Sequence, residues 1–259
     1  MIDAALGNGV AREAGADHVV VVIPTLDEEQ SIADVVRSIP RAIVSRVIVA
    51  DGGSRDATAA RAKAAGADVI DAGRGYGRAC LAATMAAEDA DIVVFMDGDG
   101  ADDPRSIAHL VEPIRSGRYD FVIGSRSRGK REEGSIARHQ LAAGRLAGWG
   151  MRLLYGVGYT DMCALRAIRR HTLLELGMHE LTYGWNIEMQ MRAARAGLRI
   201  LEIPVDYRRR RGGNSKVAGN LSGTMRAGAR IIATFARVSS ETSPWRRGRD
   251  RQREPSKVR

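Results

Sequence analysis

Between His18 and Gly124 the chain alternates short β-branched runs with stretches of helical spacing, and this rhythm restricts the fold more than any other feature. His18 to Thr25 is built on a continuous β-branched run, Val19 to Ile23, the pattern of a strand buried on both faces of a parallel sheet. Asp27-Glu28-Glu29 then puts acidic residues where a helix should begin. Ile32, Val35, Val36 and Ile39 follow at helical spacing, and Pro40 closes the segment. The cycle repeats: strand Val47 to Ala50 and helix Ser54 to Ala65, strand Ala67 to Ile70 and helix Gly77 to Ala87, then strand Asp91 to Met96. Pro104 opens the next helix at a favoured first-turn position, and Tyr119 to Gly124 is a fifth strand. The expected class is α/β: a doubly wound, mostly parallel sheet with helices on both faces.

Beyond Gly124 the rhythm changes. The spacing predicts a helix over 137–155, interrupted by Gly144, Gly148 and Gly150, and another over 184–196. Leu198 to Tyr207 reads as a strand, with Pro204 suiting an edge or a strand end. A last helix over 217–238 would put Val217, Leu221, Met225, Ile232 and Phe235 on one face and Arg226, Arg230 and Arg237 among its polar positions. Such a stripe either packs on the domain or rests on an anionic membrane surface. The expected organisation is a loose Gly- and Ala-rich leader (1–17), one globular domain (18–240) and a basic, disordered tail (241–259).

Forty Lys and Arg against 31 Asp and Glu give a net charge of +9. The excess gathers at Arg126–Arg131, at Arg208–Arg211 and in the tail. It points to an anionic partner, whether nucleic acid, membrane surface or phosphorylated substrate, or to solvated faces. No recognition motif or set of stacking aromatics accompanies it, so nucleic acid is not expected. No apolar run approaches the roughly 20 residues of a membrane span, and the start lacks the basic-then-apolar pattern of an export signal. Cys80 and Cys163 have no metal-like spacing and read as reduced thiols. The expected location is the cytoplasm, with a peripheral seat at the inner face of the membrane left open.

Three strand ends carry polar groups: Thr25 to Glu28, Asp51 to Ser54, and Asp97 to Asp99 in Met96-Asp97-Gly98-Asp99-Gly100. In a doubly wound sheet they should converge on one crevice at the carboxyl edge. Two carboxylates one residue apart suit a hard divalent cation, Mg²⁺ or Mn²⁺, shared with substrate phosphates. A plain acidic turn is the other reading of the same residues.

Taken in order, Pro24-Thr25-Leu26-Asp27-Glu28-Glu29, Asp51-Gly52-Gly53-Ser54-Arg55-Asp56, Met96-Asp97-Gly98-Asp99 and Gly124-Ser125-Arg126 resemble glycosyltransferase family 2. Thr160-Asp161 to Arg166, Trp185-Asn186-Ile187-Glu188 and Arg211-Gly-Gly-Asn-Ser215-Lys216 resemble later elements of the dolichyl-phosphate mannose synthases and related polyprenyl-phosphate glycosyltransferases. The resemblance runs from about Val19 to Lys216 and implies a GT-A fold and inverting transfer from a nucleotide sugar. It implies a metal on Asp97 and Asp99, and donor contacts from Pro24, Thr25, Glu28, Asp51, Gly75, Arg78, Asp97 and Gly98. Gly75 and Arg78 belong to a glycine-rich turn at a helix N-terminus, a geometry that suits a diphosphate.

The resemblance also implies a polyprenyl-phosphate acceptor gripped by Arg126, Arg138, Arg166, Arg211, Ser215 and Lys216. A phosphate acceptor is already an anion and needs positioning rather than a strong base. A soluble hydroxyl acceptor would need a carboxylate base, for which Asp161 and Glu188 are the candidates. A nucleotidyltransferase remains a third reading. Leu26, Gly52, Tyr76, Ala101 and Ala164-Leu165 depart from the mannose synthase pattern and loosen the tie to that donor and acceptor.

Overall fold

The computed structural model describes residues 17–136, 138–212 and 221–241, with side chains described outside 137–143 and 213–227. The leader up to residue 16, Ser215, Lys216 and the tail from 242 onward lie outside the described residues, as does the side chain of Arg138.

The first part of the chain builds β1 (Val19–Thr25), α1 (Ile32–Ser38), β2 (Arg46–Asp51), α2 (Thr58–Ala64), β3 (Asp68–Asp71), α3 (Tyr76–Ala86), β4 (Ile92–Phe95), α4 (Ser106–Arg115) and β5 (Phe121–Ser125). The second part adds α5 (Arg138–Tyr155), β6 (Arg166–Arg169), α6 (Arg170–Glu175), α7 (Trp185–Arg195), β7 (Ile200–Pro204) and α8 (Leu221–Ser240). The seven strands form one sheet in the order β3-β2-β1-β4-β6-β5-β7. The first four strands are mutually parallel where they pair, and β5 pairs parallel with β7. Only β6 is reversed, antiparallel to β4 on one side and to β5 on the other.

The expected α/β class and mostly parallel sheet are therefore present, with one insertion that the hydrophobic rhythm does not announce. Strand β6 is Arg166-Ala-Ile-Arg169, too short and too charged at its ends to stand out. Boundaries shift elsewhere for local reasons. Helix α2 begins at Thr58 rather than Ser54, because Ser54 to Asp56 are bonded into the loop after β1. Pro104 lies in the turn before α4, which starts at Ser106. The last strand stops at Pro204, and Tyr207 makes only isolated bridges to Asp102 and Arg131.

Register sets the edge where the site lies. Thr25 pairs with Asp51, so β1 and β2 end flush, while β4 stops earlier, with Phe95 opposite Val22, and its chain runs on toward the same edge through Asp97 to Asp99. Strand β5 ends on the same edge at Ser125, and the reversed β6 enters the sheet from that edge at Arg166. The strand cores are closed to water: Val19 to Ile23 and Ile92 to Val94 have no exposed surface. Each such side chain contributes about 1.5–3 kcal/mol of transfer free energy. Trp185 of α7 is wholly buried and meets Phe95 edge-to-face, with ring centroids 6.2 Å apart. That contact fixes the last residue of β4 just before the aspartates.

Helix α8 packs on α7 through Val238 and Thr234, both buried, while Ile232 on the expected apolar face is largely exposed. The joint is ionic. Glu188 of α7, without exposed surface, accepts from the amides of His179 (3.0 Å) and Glu180 (2.6 Å), from Arg192 Nε (3.0 Å) and from Arg237 of α8 (2.9 Å). Burial raises the carboxyl's affinity for a proton, but the amide of Glu180 and the two guanidinium groups more than offset it and hold its pKa below the ordinary glutamate value. No helix among the described residues is long and apolar enough to cross a membrane.

Glu188→Ala should cost about 3 kcal/mol, because it leaves the amides of His179 and Glu180 without an acceptor and removes one of the two carboxylates that Arg192 and Arg237 share. Since the folded pKa lies below the unfolded one, this stabilisation is full above the unfolded value and is lost as pH falls through the folded value. Melting curves at neutral and acid pH should therefore show a wild-type advantage that shrinks in acid. An unchanged melting temperature at neutral pH would refute the joint.

Candidate active site

The two aspartates after β4 sit on a loop folded back on itself. The Ala101 amide donates to Asp99 Oδ1 (2.9 Å) and the Asp97 amide to Asp102 Oδ2 (3.2 Å). Gly98 has no space for a side chain: a Cβ there would lie 2.8 Å from Thr25 Cγ2 and 3.2 Å from Ile23 Cγ2. Its carbonyl accepts from the Ser31 hydroxyl (2.8 Å), which ties this loop to the start of α1. Burial, with the neighbouring Asp99 carboxylate, pushes Asp97 up to about 6. Asp102, buried and close to Asp97, is pushed up as well, and its Oδ1 has no hydrogen-bond partner. The loop thus holds more negative charge than its surroundings balance. Among the described residues no three His, Cys, Asp or Glu side chains are grouped to cage a metal.

The loops after β1 and β2 are laced together beside it. The Glu28 amide donates to Thr58 Oγ1 (2.8 Å), the Asp27 amide to Ser54 Oγ (2.9 Å), and the Arg55 amide to Asp27 Oδ1 (2.9 Å). Asp27 takes a positive φ of 51°, alone among the described non-glycine residues. Asp51 accepts from the Ser54 amide (3.1 Å) and hydroxyl, so its carboxylate shapes the turn at the end of β2. Gly52 donates to Thr25 O (2.8 Å), and a Cβ at Gly52 would come within 3.1 Å of that oxygen. The structure thus brings Pro24, Thr25, Glu28, Asp51, Asp97, Gly98 and Asp99 to one edge, as the sequence leads one to expect.

The glycine-rich turn behaves differently. A Cβ on Gly75 would lie 2.5 Å from the Leu181 carbonyl oxygen, and the Arg78 amide already donates to that oxygen (2.9 Å). This stretch is shaped by the close approach of residues 180–181. The Arg78 amide, expected to face a diphosphate, is spent on the protein.

The arginines divide into those that reach the cleft and those that do not. Arg126, just past β5, grips Asp161 through Nε (2.8 Å) and Nη2 (2.8 Å), and its amide adds a third bond (2.9 Å). Its guanidinium also lies 5.0 Å from the centre of the Tyr207 ring. Burial alone would raise Asp161, but Arg126 outweighs it and holds the carboxyl below the ordinary aspartate value. Gln190 Nε2 donates to the Asp161 carbonyl (3.0 Å), so α7 braces the pair.

Arg166, expected at the acceptor, has no exposed surface. It donates to the carbonyls of Cys163 (3.0 Å) and Asn186 (3.1 Å), because β6 carries it into the sheet. Glu188, the other candidate base, is bonded within the helix joint to Arg192, Arg237 and two main-chain amides. Arg211 turns outward to exposed Asp34 (3.3 Å). Its neighbour Arg210, which sequence reasoning passed over, enters instead: it pairs with Glu28 (2.9 Å) and with Asp99 (3.0 Å). The segment is held there by main-chain bonds from Arg208 to Ala101 O (2.8 Å) and from Arg211 to Asp99 O (3.1 Å). A run of four arginines does not reveal which one points inward. The alternation of a strand-like approach, with Tyr207 bridged to Asp102, is the only hint.

These features match known proteins. The model of the glycosyl transferase family 2 matches residues 20–177. An uncharacterized glycosyltransferase of Mycobacterium tuberculosis is 36% identical over 81% of this chain and 94% of its own length. A dolichyl-phosphate hexose transferase of Haloferax volcanii is 34% identical over 76% of this chain and 85% of its own. Among solved structures, glucosyl-3-phosphoglycerate synthase from Mycobacterium tuberculosis, crystallised with Mn²⁺, uridine diphosphate and phosphoglyceric acid, superposes with a TM-score of 0.69 at 25% identity, covering 88% of this chain and 80% of that one. The sheet, its carboxyl-edge cleft and these matches agree: the chain is a glycosyltransferase of family 2 with a GT-A-like fold.

Proposed function

We propose that the protein transfers a sugar, with inversion, from a nucleoside-diphosphate sugar to a polyprenyl phosphate at the cytoplasmic face of a membrane. In that step an acceptor phosphate oxygen bonds to the anomeric carbon from one face. The bond to the diphosphate oxygen on the other face breaks, and its electron pair leaves with the nucleoside diphosphate. Pro24, Thr25, Glu28 and Asp51 would line the nucleotide side, with Asp97 and Gly98 beside the diphosphate. Asp97 and Asp99 would hold Mg²⁺ or Mn²⁺, and the ion would neutralise charge on the departing diphosphate. The donor set fits such an ion: two carboxylates one residue apart, Asp97 with its pKa raised by burial and by Asp99, supply hard oxygens and leave further positions for substrate. Arg210, already paired with Asp99 and Glu28, is a cation positioned to move from carboxylate to phosphate.

One observation carries the choice of acceptor. Both carboxylates that the sequence offers as a base for a hydroxyl are occupied: Asp161 by Arg126, and Glu188 by Arg192 and Arg237. Each is held below its ordinary pKa, the wrong direction for a general base. An acceptor that is already an anion needs no base. In this reading Asp161 positions Arg126 for the acceptor phosphate, with Arg138, Ser215 and Lys216 as further candidates. The kinship with a dolichyl-phosphate hexose transferase supports the same acceptor class. A soluble hydroxyl acceptor is the second reading, favoured by the likeness to glucosyl-3-phosphoglycerate synthase.

Purified protein with Mn²⁺, a panel of nucleotide sugars and a polyprenyl phosphate should release nucleoside diphosphate. Release only with small polar acceptors would move the assignment to the second reading, and pyrophosphate release from a nucleoside triphosphate would make it a nucleotidyltransferase. The Asp99→Ala variant should fold yet lose at least about a hundredfold in turnover, together with Mn²⁺-dependent donor binding by calorimetry. Wild-type behaviour would remove the metal assignment. Asp161→Asn should raise the acceptor KM about tenfold by freeing Arg126, and leave the donor KM unchanged. An equal rise in both would point to a general loss of structure.

A further inference from the structure

The outward face of α5 is apolar in a way the rest of the described surface is not. Leu146 is 69% exposed, Trp149 65%, Leu153 73% and Leu154 50%. Leu146, Trp149 and Leu153 stand three and four residues apart and therefore share one face of the helix. Only Met85, Leu174 and Ile232 are comparable elsewhere among the described residues. Ile232 lies on α8, one turn before Phe235, whose ring would meet a Cβ at Gly150 of α5 at 3.1 Å. Arg145 and Arg152, both exposed, stand beside the leucines on α5.

The inner face of the same helix is glycine. A Cβ at Gly144 would lie 3.9 Å from Asp161 Cα, and one at Gly148 would overlap the Tyr159 carbonyl oxygen. Helix α5 is thus pressed directly onto the segment whose Asp161 holds Arg126. Its outward face stands one helix thickness from that pair.

We propose that the Leu146–Trp149–Leu153 face of α5 is a docking surface for an anionic lipid bilayer. The aliphatic and indole side chains enter the acyl boundary, and Arg145 and Arg152 meet lipid phosphates. A helix with leucine and tryptophan on one face and arginines beside them has the composition of an interfacial segment. Charge selects the occupant. A second copy would bring another net charge of +9 against these arginines, whereas an anionic bilayer is complementary. This deepens the lipid-phosphate reading, because it puts the bilayer beside Arg126, where such an acceptor would have to emerge.

The test is flotation with vesicles of phosphatidylcholine alone and of phosphatidylcholine with phosphatidylglycerol, at physiological salt. Wild type should float with the anionic vesicles. The Leu146→Glu/Trp149→Glu/Leu153→Glu variant should bind at least about tenfold more weakly while keeping its melting temperature. Arg145→Glu/Arg152→Glu should lose the preference for phosphatidylglycerol. Vesicle binding by the triple variant equal to wild type, or no binding by wild type, would overturn the proposal. So would a wild-type dimer that the triple variant converts to monomer without change in flotation. Flotation needs no turnover, so it fails separately from the transferase reading. Nucleoside diphosphate release with a short, water-soluble polyprenyl phosphate should be the same in wild type and variant.

Discussion

Concentrating carboxylates at the end of β4 is the demanding step in this fold, and much of the later chain is arranged to make it tolerable. Asp97, Asp99, Asp102 and Glu28 share a small, largely buried volume. Burial, with the neighbouring Asp99 carboxylate, raises the proton affinity of Asp97. The compensation comes from far along the sequence. Arg210 crosses to Asp99 and Glu28 from beyond β7, and Arg126 contributes a favourable field from the end of β5. Buried charges of one sign persist only when paired, so the cleft requires those segments to close over it.

The reversed strand β6 is what makes the closure possible. A purely parallel continuation would leave the sheet through another long crossover. By entering β6 from the cleft edge, residues 159–165 pass over the ends of β4 and β5 first. Asp161 meets Arg126 there, while Arg166 is drawn into the sheet. Helix α5 is then pressed on this segment through Gly144 and Gly148, and α7 braces it from within through Gln190. One topological reversal therefore ties the acidic loop, the arginine after β5 and the exposed apolar helix into one unit.

What the sequence makes legible follows from which physics is local. The parallel half was readable because buried strands write continuous β-branched runs, and the ends of β1, β2 and β4 follow from register once the order is known. Strand β6 was not, since its pairing with β4 and β5 is set by neighbours rather than by its four residues. The same divide runs through the site. Asp97, Asp99, Thr25, Glu28 and Asp51 were visible as polar groups at strand ends. Arg210 against Arg211, and the inward turn of Arg166 and Glu188, depend on side-chain direction in segments without periodic hydrophobicity. The glycine turn at 73–78 shows a further limit: glycines needed for close packing on Leu181 look the same in sequence as glycines that cradle a phosphate.

The charge balance of the cleft bears on the chemistry proposed for it. A nucleoside-diphosphate sugar and a phosphate acceptor would both bring negative charge to a place already acidic. Unit charges a few ångströms apart at a partly buried site interact by about 4 kcal/mol each. Arg126 is largely neutralised by Asp161, and Arg210 by Asp99 and Glu28, so these guanidinium groups cannot offset two further anions alone. A divalent ion held by Asp97 and Asp99 would reverse the local sign, and Arg210 would then be available to the substrates. The aspartates, the arginine between them and Glu28, and the commitment of Asp161 to Arg126 then fit one arrangement: a site that would gather anions and let charge move between them.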